Sequence, residues 1–523
     1  MSKTLSELLS GDMPARIGLL ARHDAKETDT TLSSLVYDSR AAQPGSIYFA
    51  LRGLHTDGHR YIDSAIENGA RVVVHEEDPS TFDPRVHWLK VRDSRQAMSP
   101  LAAAFHDWPS RDLAVIGVTG TEGKSTTVYL VWQLLGLCGK RAGFFSTVNY
   151  CLDGKEQWNP EHQTTPEATT VQAHLAAMRD AGFEYAVVEA SSHGLSPKTG
   201  RLEDVDFDIA VMTNVTHEHL EFHGSWEQYR EDKSRLFRRL DTVDHQKNCS
   251  QKRIPSFSVA NADDPSIAYF VAANERRTYT WSLKGEDADL SVKELAVSAK
   301  GSSYEIHDRA SGTSLQISDL LPGSFNVNNV LAALLVVSNL LEIPVPELAH
   351  HVRHLRPVRG RMTSLTLGQD FELIIDYAHT PSSFEAVLPP LAARIHEKGG
   401  RLIALFGSAG ERDRVKRALQ GRVAAENADI VILCDEDPRG EEPLSILHEI
   451  ASGCTNLLPQ ENILLIPDRR EAIGKAVSLA QANDAVILLG KGHENSIIYA
   501  NRVLPWDEIQ AAREALTALG YGG

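Results

Sequence analysis

The sequence predicts an α/β protein of several domains, and three observations carry that reading. The chain has 523 residues. A single hydrophobic core stops growing near ~250–300 residues, so two to four domains are expected. Short β-branched apolar runs recur, and most are continuously apolar rather than alternating, the mark of strands buried on both faces in parallel sheets. Segments of helical periodicity separate these runs.

In chain order the strands are read at 113–118, 185–188, 207–212, 371–375, 402–406, 430–433, 463–466 and 485–489. Each ends near a Gly, Ser, Asp or His cluster. Helices are read at 125–137, 169–181 and 414–427, among others. Three polar stretches punctuate the pattern. Residues 107–112 precede a fresh strand, 241–255 read as a surface insertion, and 353–360 read as a second hinge. The expected domains are therefore 1–110, 111–356 and 357–523.

Composition narrows the function. Apolar residues at 42% and charged residues at 24% suit a soluble globular protein. The net charge of −17 argues against a nucleic-acid partner and against binding to anionic membranes. It leaves room for an anionic substrate in a local basic pocket. The five cysteines are odd in number and form no C-x-x-C pair, so no disulfide framework is expected. No apolar run approaches the ~18 residues of a membrane span. The first ten residues lack the apolar core of a signal peptide. A cytoplasmic protein without membrane insertion is expected.

The segment Ile116-Gly-Val-Thr-Gly-Thr-Glu-Gly-Lys-Ser-Thr-Thr127 joins a strand to a helix. Backbone N–H groups of a Gly-rich turn at a helix start make an anion site. Gly120, Thr121, Gly123, Lys124, Ser125 and Thr126 are the candidate phosphate-binding residues. Lys124 would reach the β- and γ-phosphates, and the Ser125 hydroxyl would ligate Mg2+. The spacing Gly120-x-x-Gly123-Lys124-Ser125 is a shorter variant, because the strict pattern has glycine where this chain has Val118. Glu122 would repel a phosphate unless it points away.

Further ordered segments run through the chain. They include Asp38-Ser-Arg40, Gly53-Leu-His-Thr-Asp-Gly-His59, Thr164-Thr-Pro166, Glu189-Ala-Ser-Ser-His-Gly194, the segment from Thr213 to Gly224 and Phe325-Asn-Val-Asn-Asn329. Gly360-Arg-Met362, Asp376-Tyr-Ala-His-Thr-Pro381, Gly410-Glu-Arg-Asp413, Asp435-Glu-Asp-Pro-Arg439 and Gly490-Lys-Gly-His-Glu494 follow. With these, the chain resembles the Mur ligase family along essentially its whole length, most closely the UDP-N-acetylmuramoyl-tripeptide synthetases. The resemblance implies three domains, with a central P-loop-type ATPase domain and a C-terminal Rossmann-like domain. It implies an ATP-dependent amide ligase of peptidoglycan synthesis. The D-glutamate carboxylate of UDP-MurNAc-L-Ala-D-Glu would be phosphorylated, and the amine of a diamino acid would displace the phosphate.

The resemblance also assigns residues. Lys124, Glu189, His219 and Lys233 would be catalytic, with Ser125, Glu189 and His219 on Mg2+. Lys233, in Tyr229-x-x-x-Lys233, matches a lysine whose carbamate holds a second Mg2+. Its plain reading is a solvated helix lysine beside Glu231 and Asp232. One of Asn326 and Asn329 would contact adenine, and either also suits a helix N-cap. Arg361 and Asp376 match ATP contacts, with His379 nearby. Ser39 and the loop 54–56, including His55 and Thr56, would hold the uridine diphosphate. Thr164, Thr165 and Ser191 would hold the muramoyl-peptide portion. The family places an arginine shortly after Ser-Ser-His-Gly, and the longer stretch here leaves Arg201 and Lys198 as rivals for it. His217 and His223 read as structural or peripheral, and Glu218 stands where the family has Asp.

Arg412, Asp437, Pro438, Arg439, Gly490 and Glu494 match the site that selects the amino acid. Arg439 offers a bidentate fork for a distal carboxylate, and Glu494 suits a cationic amine. Members with Asp-Asn-Pro-Arg use meso-diaminopimelate. This chain has Glu436-Asp437-Pro438-Arg439, whose extra charge would favour a distal ammonium, as on L-lysine or L-ornithine. Diaminopimelate stands first and the other two are the alternative. A monomer is expected. Two rivals belong to other classes: a folylpolyglutamate-type ligase, which would lack the N-terminal motifs, and a P-loop nucleotide switch, which would need no amino-acid site.

Overall fold

The computed structural model describes residues 3–26, 30–53, 56–159, 163–216, 220–242, 247–249, 252–285, 287–298, 301–458 and 461–522. The chain forms two compact units. The first comprises Met1–Leu295, Ser303–Ser318 and Phe325–Leu355, and the second comprises Ala296–Ser302, Asp319–Ser324 and Arg356–Gly523.

The first unit contains two large sheets. A five-stranded sheet runs in the order Leu19–His23, His87–Val91, Ala70–His75, Ser46–Phe49, Ser34–Val36. Its outer pair, Leu19–His23 with His87–Val91, is antiparallel, and the rest is parallel. An eleven-stranded sheet has at its centre the order Ala142–Phe145, Tyr185–Glu189, Ala114–Thr119, Ile209–Met212, Phe257–Asn261, Thr278–Ser282. All these pairings are parallel. Antiparallel strands close both margins. The central strands are continuously apolar because both faces are covered. Val115, Ile116 and Val118 are fully buried, as are Val187, Val188, Ala210 and Val211. Burying each larger side chain contributes about 1.5–3 kcal/mol.

The second unit has a six-stranded sheet in the order Thr363–Ser364, Glu372–Ile375, Ala485–Leu488, Leu402–Phe406, Ile430–Leu433, Ile463–Leu465. Only the Thr363–Ser364 margin is antiparallel. The α/β class and the parallel sheets expected from the apolar runs are both present. Each of the eight strands read from sequence is found, with ends shifted by at most two residues.

Two details differ from the sequence reading. The stretch 241–255 is not wholly irregular. The helix Trp226–Thr242 reaches its start, and Asn248–Cys249 pairs with Lys252–Arg253. The helix Ser324–Leu341 begins before Asn326, so Asn326 and Asn329 are helix-interior residues and the N-cap explanation fails. This helix is long and apolar enough to cross a membrane by composition. Here it is a core helix, with Val327, Val330, Leu331, Leu334 and Val337 fully buried.

Candidate functional site

In a parallel sheet the loops after neighbouring strands share one edge, which is where open α/β sheets bind ligands. Strand Ala114–Thr119 lies between Tyr185–Glu189 and Ile209–Met212, with Glu189 opposite Val118 and Met212 opposite Thr119. The register therefore delivers the loop 120–123, Glu189 and the segment after Met212 to the same place.

Gly120 and Gly123 shape the loop. Gly120 has φ +153°, and a Cβ there would stand 1.8 Å from the Thr213 hydroxyl oxygen. Gly123 has φ +80° and precedes the helix Lys124–Leu137. A Cβ there would stand 2.5 Å from Asn329 Oδ1. Both are positions where only glycine fits without strain. The loop is anchored by its neighbours. Thr121 N–H donates to the Asn214 carbonyl at 2.9 Å, and Glu122 N–H donates to Asn214 Oδ1 at 2.9 Å. The Thr213 hydroxyl donates to the Glu122 carbonyl at 2.6 Å. The Glu122 backbone thus has a clear role in holding the loop.

Around this loop the candidate catalytic side chains converge. The Ser125 hydroxyl donates to Glu189 Oε2 at 2.9 Å. Glu189, 1% exposed, also accepts from Thr147 N–H at 2.7 Å and from the Thr147 hydroxyl at 3.1 Å. Lys124 Nζ donates to the Thr121 carbonyl at 2.7 Å, folded over the loop it would use to hold a phosphate. Lys233 is not a solvated helix lysine. It is 1% exposed, donates to the Gly120 carbonyl at 2.5 Å, and lies 4.4 Å from the centre of the Tyr229 ring. The Tyr229 hydroxyl is 3.0 Å from Thr121 Oγ1. Thr126 is buried, and the Thr127 hydroxyl donates to Asn329 Oδ1 at 3.1 Å. Asn329 Nδ2 donates to Asn326 Oδ1 at 3.3 Å.

Thr165 and Ser191 form the next layer. Their hydroxyls are 2.9 Å apart, and Thr165 Oγ1 donates to the Glu189 carbonyl at 3.0 Å. Thr164 is half-buried beside them. Arg201 donates to the Thr165 carbonyl at 2.8 Å and to Glu167 at 2.8 Å, whereas Lys198 turns to the Phe222 carbonyl at 3.0 Å. The fold thus brings Arg201, not Lys198, against Thr165. His223 is buried and held between Asp232 at 2.8 Å and Ser192 at 3.1 Å. His219, with His217 and Glu218, lies outside the described residues, as does His55.

In the N-terminal sheet Ser39 is buried and opens the short turn Ser39–Ala41, whose start is capped by Asp38. Asp38 also pairs with Arg40 at 2.7 Å. The Thr56 hydroxyl donates to Tyr61 Oη at 3.4 Å.

The second unit assembles the candidate amino-acid residues at the carboxyl edge of its own sheet. Arg412 is exposed on its loop, and Pro438 is buried. Gly410 N–H donates to the Asp437 carbonyl at 2.8 Å. Arg439 has φ +54°, and its Nε is buried without a partner among the described residues. Gly490, at φ +96°, leaves room for Glu436, whose Oε2 would lie 3.1 Å from a Cβ there. In this unit the sequence reading passes over Lys491. It is fully buried and donates to Asp437 Oδ1 at 2.8 Å and to Glu494 Oε2 at 2.5 Å. Burial disfavours its ammonium, yet Glu494 and Asp437 outweigh this and hold its pKa above the ordinary lysine value. The charge that Asp437 adds is therefore matched from within. Arg361 lies 4.6 Å over the Tyr377 ring. Asp376 accepts from Met362 and Ala378 N–H groups at 2.7 Å each, and burial raises its pKa.

The glycine cradle and Lys124 fit a nucleotide polyphosphate. Ser125 and Glu189 form a hard oxygen set suited to Mg2+, which is commonly held by one or two carboxylates plus substrate phosphates. A separate cavity of about 750 Å3 holds none of these residues. Its cations are met by acids: Arg16 by Asp204 at 3.3 Å, Arg111 by Asp206 at 3.3 Å and Arg239 by Glu203 at 2.6 Å.

Comparison with known proteins gives three consecutive family matches. Residues 31–106 match the model described as Mur ligase family, catalytic domain. Residues 118–337 match the Mur ligase middle domain, and 360–492 match the Mur ligase, glutamate ligase domain. The UDP-N-acetylmuramyl-tripeptide synthetase of Treponema denticola is 49% identical over 504 residues, covering 93% of this chain and 94% of that protein. The UDP-N-acetylmuramoyl-L-alanyl-D-glutamate--2,6-diaminopimelate ligase of Caldanaerobacter subterraneus subsp. tengcongensis is 36% identical over 500 residues, covering 95% and 97%. A solved structure of a UDP-N-acetylmuramoyl-L-alanyl-D-glutamate--2,6-diaminopimelate ligase aligns over 100% of both chains, with TM-score 0.63 and 27% identity.

Proposed function

The chain belongs to the Mur ligase family of ATP-dependent peptide ligases, and from that premise we propose that it joins a diamino acid to UDP-MurNAc-L-Ala-D-Glu. The D-glutamate carboxylate takes the γ-phosphoryl group of ATP, giving an acyl phosphate and ADP. The amine then attacks the acyl carbon, phosphate leaves, and the amide forms. The observation that carries this reading is the convergence of Lys124, Ser125, Glu189 and Lys233 on the loop 120–123.

The chain's own groups have separable tasks. Two anions must be brought together, and catalysis of phosphoryl transfer is mostly positioning and charge neutralisation. Loop amides and Lys124 hold the β- and γ-phosphates. Ser125 and Glu189 hold Mg2+, with His219 as a further ligand, and the ion when bound neutralises charge on the transferring phosphoryl group. Lys233, taken out of water beside Tyr229, adds CO2 through its neutral amine and loses a proton, giving a carbamate. Asn326 or Asn329 contacts adenine. Thr165, Ser191 and Arg201 bind the muramoyl-peptide portion, and Ser39 with Thr56 binds the uridine diphosphate. Arg412, Arg439, Gly490 and Glu494 receive the diamino acid. Domains 1–110, 111–356 and 357–523 divide these tasks between them. Among the described residues Cys138, Cys151, Cys434 and Cys454 are free thiols, which supports a reducing, cytoplasmic setting.

The favoured acceptor is meso-diaminopimelate, because the buried Arg439 Nε, without a partner among the described residues, suits a second carboxylate. L-Lysine and L-ornithine are the second reading, favoured by Asp437 in place of an amide. Phosphate release is measured with ATP, Mg2+, UDP-MurNAc-L-Ala-D-Glu and each diamino acid. Turnover is expected with at least one diamino acid and none without it. Folded protein inactive with all of them overturns the assignment.

A further inference from the structure

The motif Gly490-Lys-Gly-His-Glu494 supplies two candidate ligands for the diamino acid, Gly490 and Glu494, and leaves Lys491 without a task. Lys491 is fully buried between the two carboxylates that the site offers to a ligand ammonium. Both carboxylates have a second donor. Asp437 Oδ1 accepts from Ile498 N–H at 2.9 Å, and Glu494 Oε1 accepts from the Tyr377 hydroxyl at 3.2 Å. These second hydrogen bonds restrain both carboxylates.

Two close carboxylates in a buried site repel each other and any third carboxylate brought near. With Lys491 between them the group carries one net negative charge instead of two. A ligand ammonium must then share oxygens already used by a built-in ammonium. A ligand carboxylate meets half the opposing charge. Arg439, whose buried Nε has no partner among the described residues, supplies the attraction for it.

We propose that Lys491 is a specificity-determining residue, a positioning residue that touches no substrate and acts through Asp437 and Glu494. It biases the site toward acceptors with a distal carboxylate and away from those ending in a bare ammonium. The proposal rests on the reading of this site as the diamino-acid site.

The test uses the purified full-length enzyme and kcat/KM for meso-diaminopimelate, L-lysine and L-ornithine. Lys491→Met keeps the chain length and removes the charge. The quotient of kcat/KM for lysine or ornithine over that for diaminopimelate should rise roughly tenfold or more. Lys491→Arg should keep the quotient within about threefold of the native value. The pair Asp437→Asn with Lys491→Met restores one net negative charge and should bring the quotient back. Equal loss for all three acceptors in Lys491→Met would mean a merely structural role and overturn the proposal. If circular dichroism shows Lys491→Met unfolded, the double variant decides. A near-native quotient supports the proposal, and a shift of roughly tenfold overturns it. Native enzyme inactive with every acceptor overturns the function assignment instead. Calorimetric titration of the three amino acids into native and variant protein then still reads the bias.

Discussion

Ser125 donates its hydroxyl proton to Glu189 across 2.9 Å, tying the first turn of the phosphate-loop helix to the end of the neighbouring strand. Both groups are buried, and both are oxygen ligands of the kind Mg2+ prefers. Glu189→Gln keeps the shape and removes the charge. It should lower kcat by ~100-fold or more and raise the Mg2+ concentration needed for half-maximal rate. A Mg2+ titration of phosphate release reads both. A native Mg2+ dependence in the variant would exclude Glu189 from metal binding.

Lys124 folds back onto the Thr121 carbonyl and is half-buried, so its removal costs the fold one hydrogen bond. Lys124→Ala should keep the melting temperature within a few degrees while kcat falls by ~100-fold or more. Near-native turnover would refute its role on the phosphates.

Gly123 combines φ +80° with Asn329 Oδ1 at 2.5 Å from any Cβ. Gly123→Ala should destabilise the first unit by about 1–3 kcal/mol and weaken nucleotide binding together. Denaturant unfolding and nucleotide titration check the two effects. Unchanged stability would mean that Asn329 moves aside freely.

Arg439→Ala should reduce kcat/KM for diaminopimelate by roughly tenfold more than for lysine, because only the former offers a distal carboxylate. Equal losses would place the Arg439 guanidinium elsewhere.

Burial pushes Asp435 from 3.8 up to about 6, against the opposing effect of the Tyr499 hydroxyl at 3.0 Å. A folded-state pKa above the unfolded one means that the folded protein binds more protons between these values. Its contribution to stability therefore falls as pH rises through that window and stays lower above it. The melting temperature of Asp435→Asn relative to native protein should rise by about 2–4 °C between pH 4.5 and 7.5. A difference independent of pH would contradict the raised pKa.

Much of this arrangement was legible in the sequence. Strands buried on both faces write themselves as apolar runs, so 402–406 and 430–433 were read to the residue. Glu189 was legible because it ends such a run. The N-terminal sheet was not, since Ser34–Val36 is three half-buried residues and Leu19–His23 is largely exposed. Thr147 and Asn214 escaped notice because they serve the site from other loops, through contacts that no local pattern encodes. The pairing of Lys491 with Asp437 spans 54 residues and exists only once the sheet has formed.

The anchoring of the phosphate loop has a kinetic consequence. Thr121 and Glu122 each spend their N–H on Asn214, which follows a central strand of the sheet. Their amide hydrogens can exchange with solvent only when that edge opens, so a glycine-rich turn acquires the exchange protection of the sheet it borders. The loop's disorder is removed when the chain folds, and little remains for a nucleotide to remove on arrival.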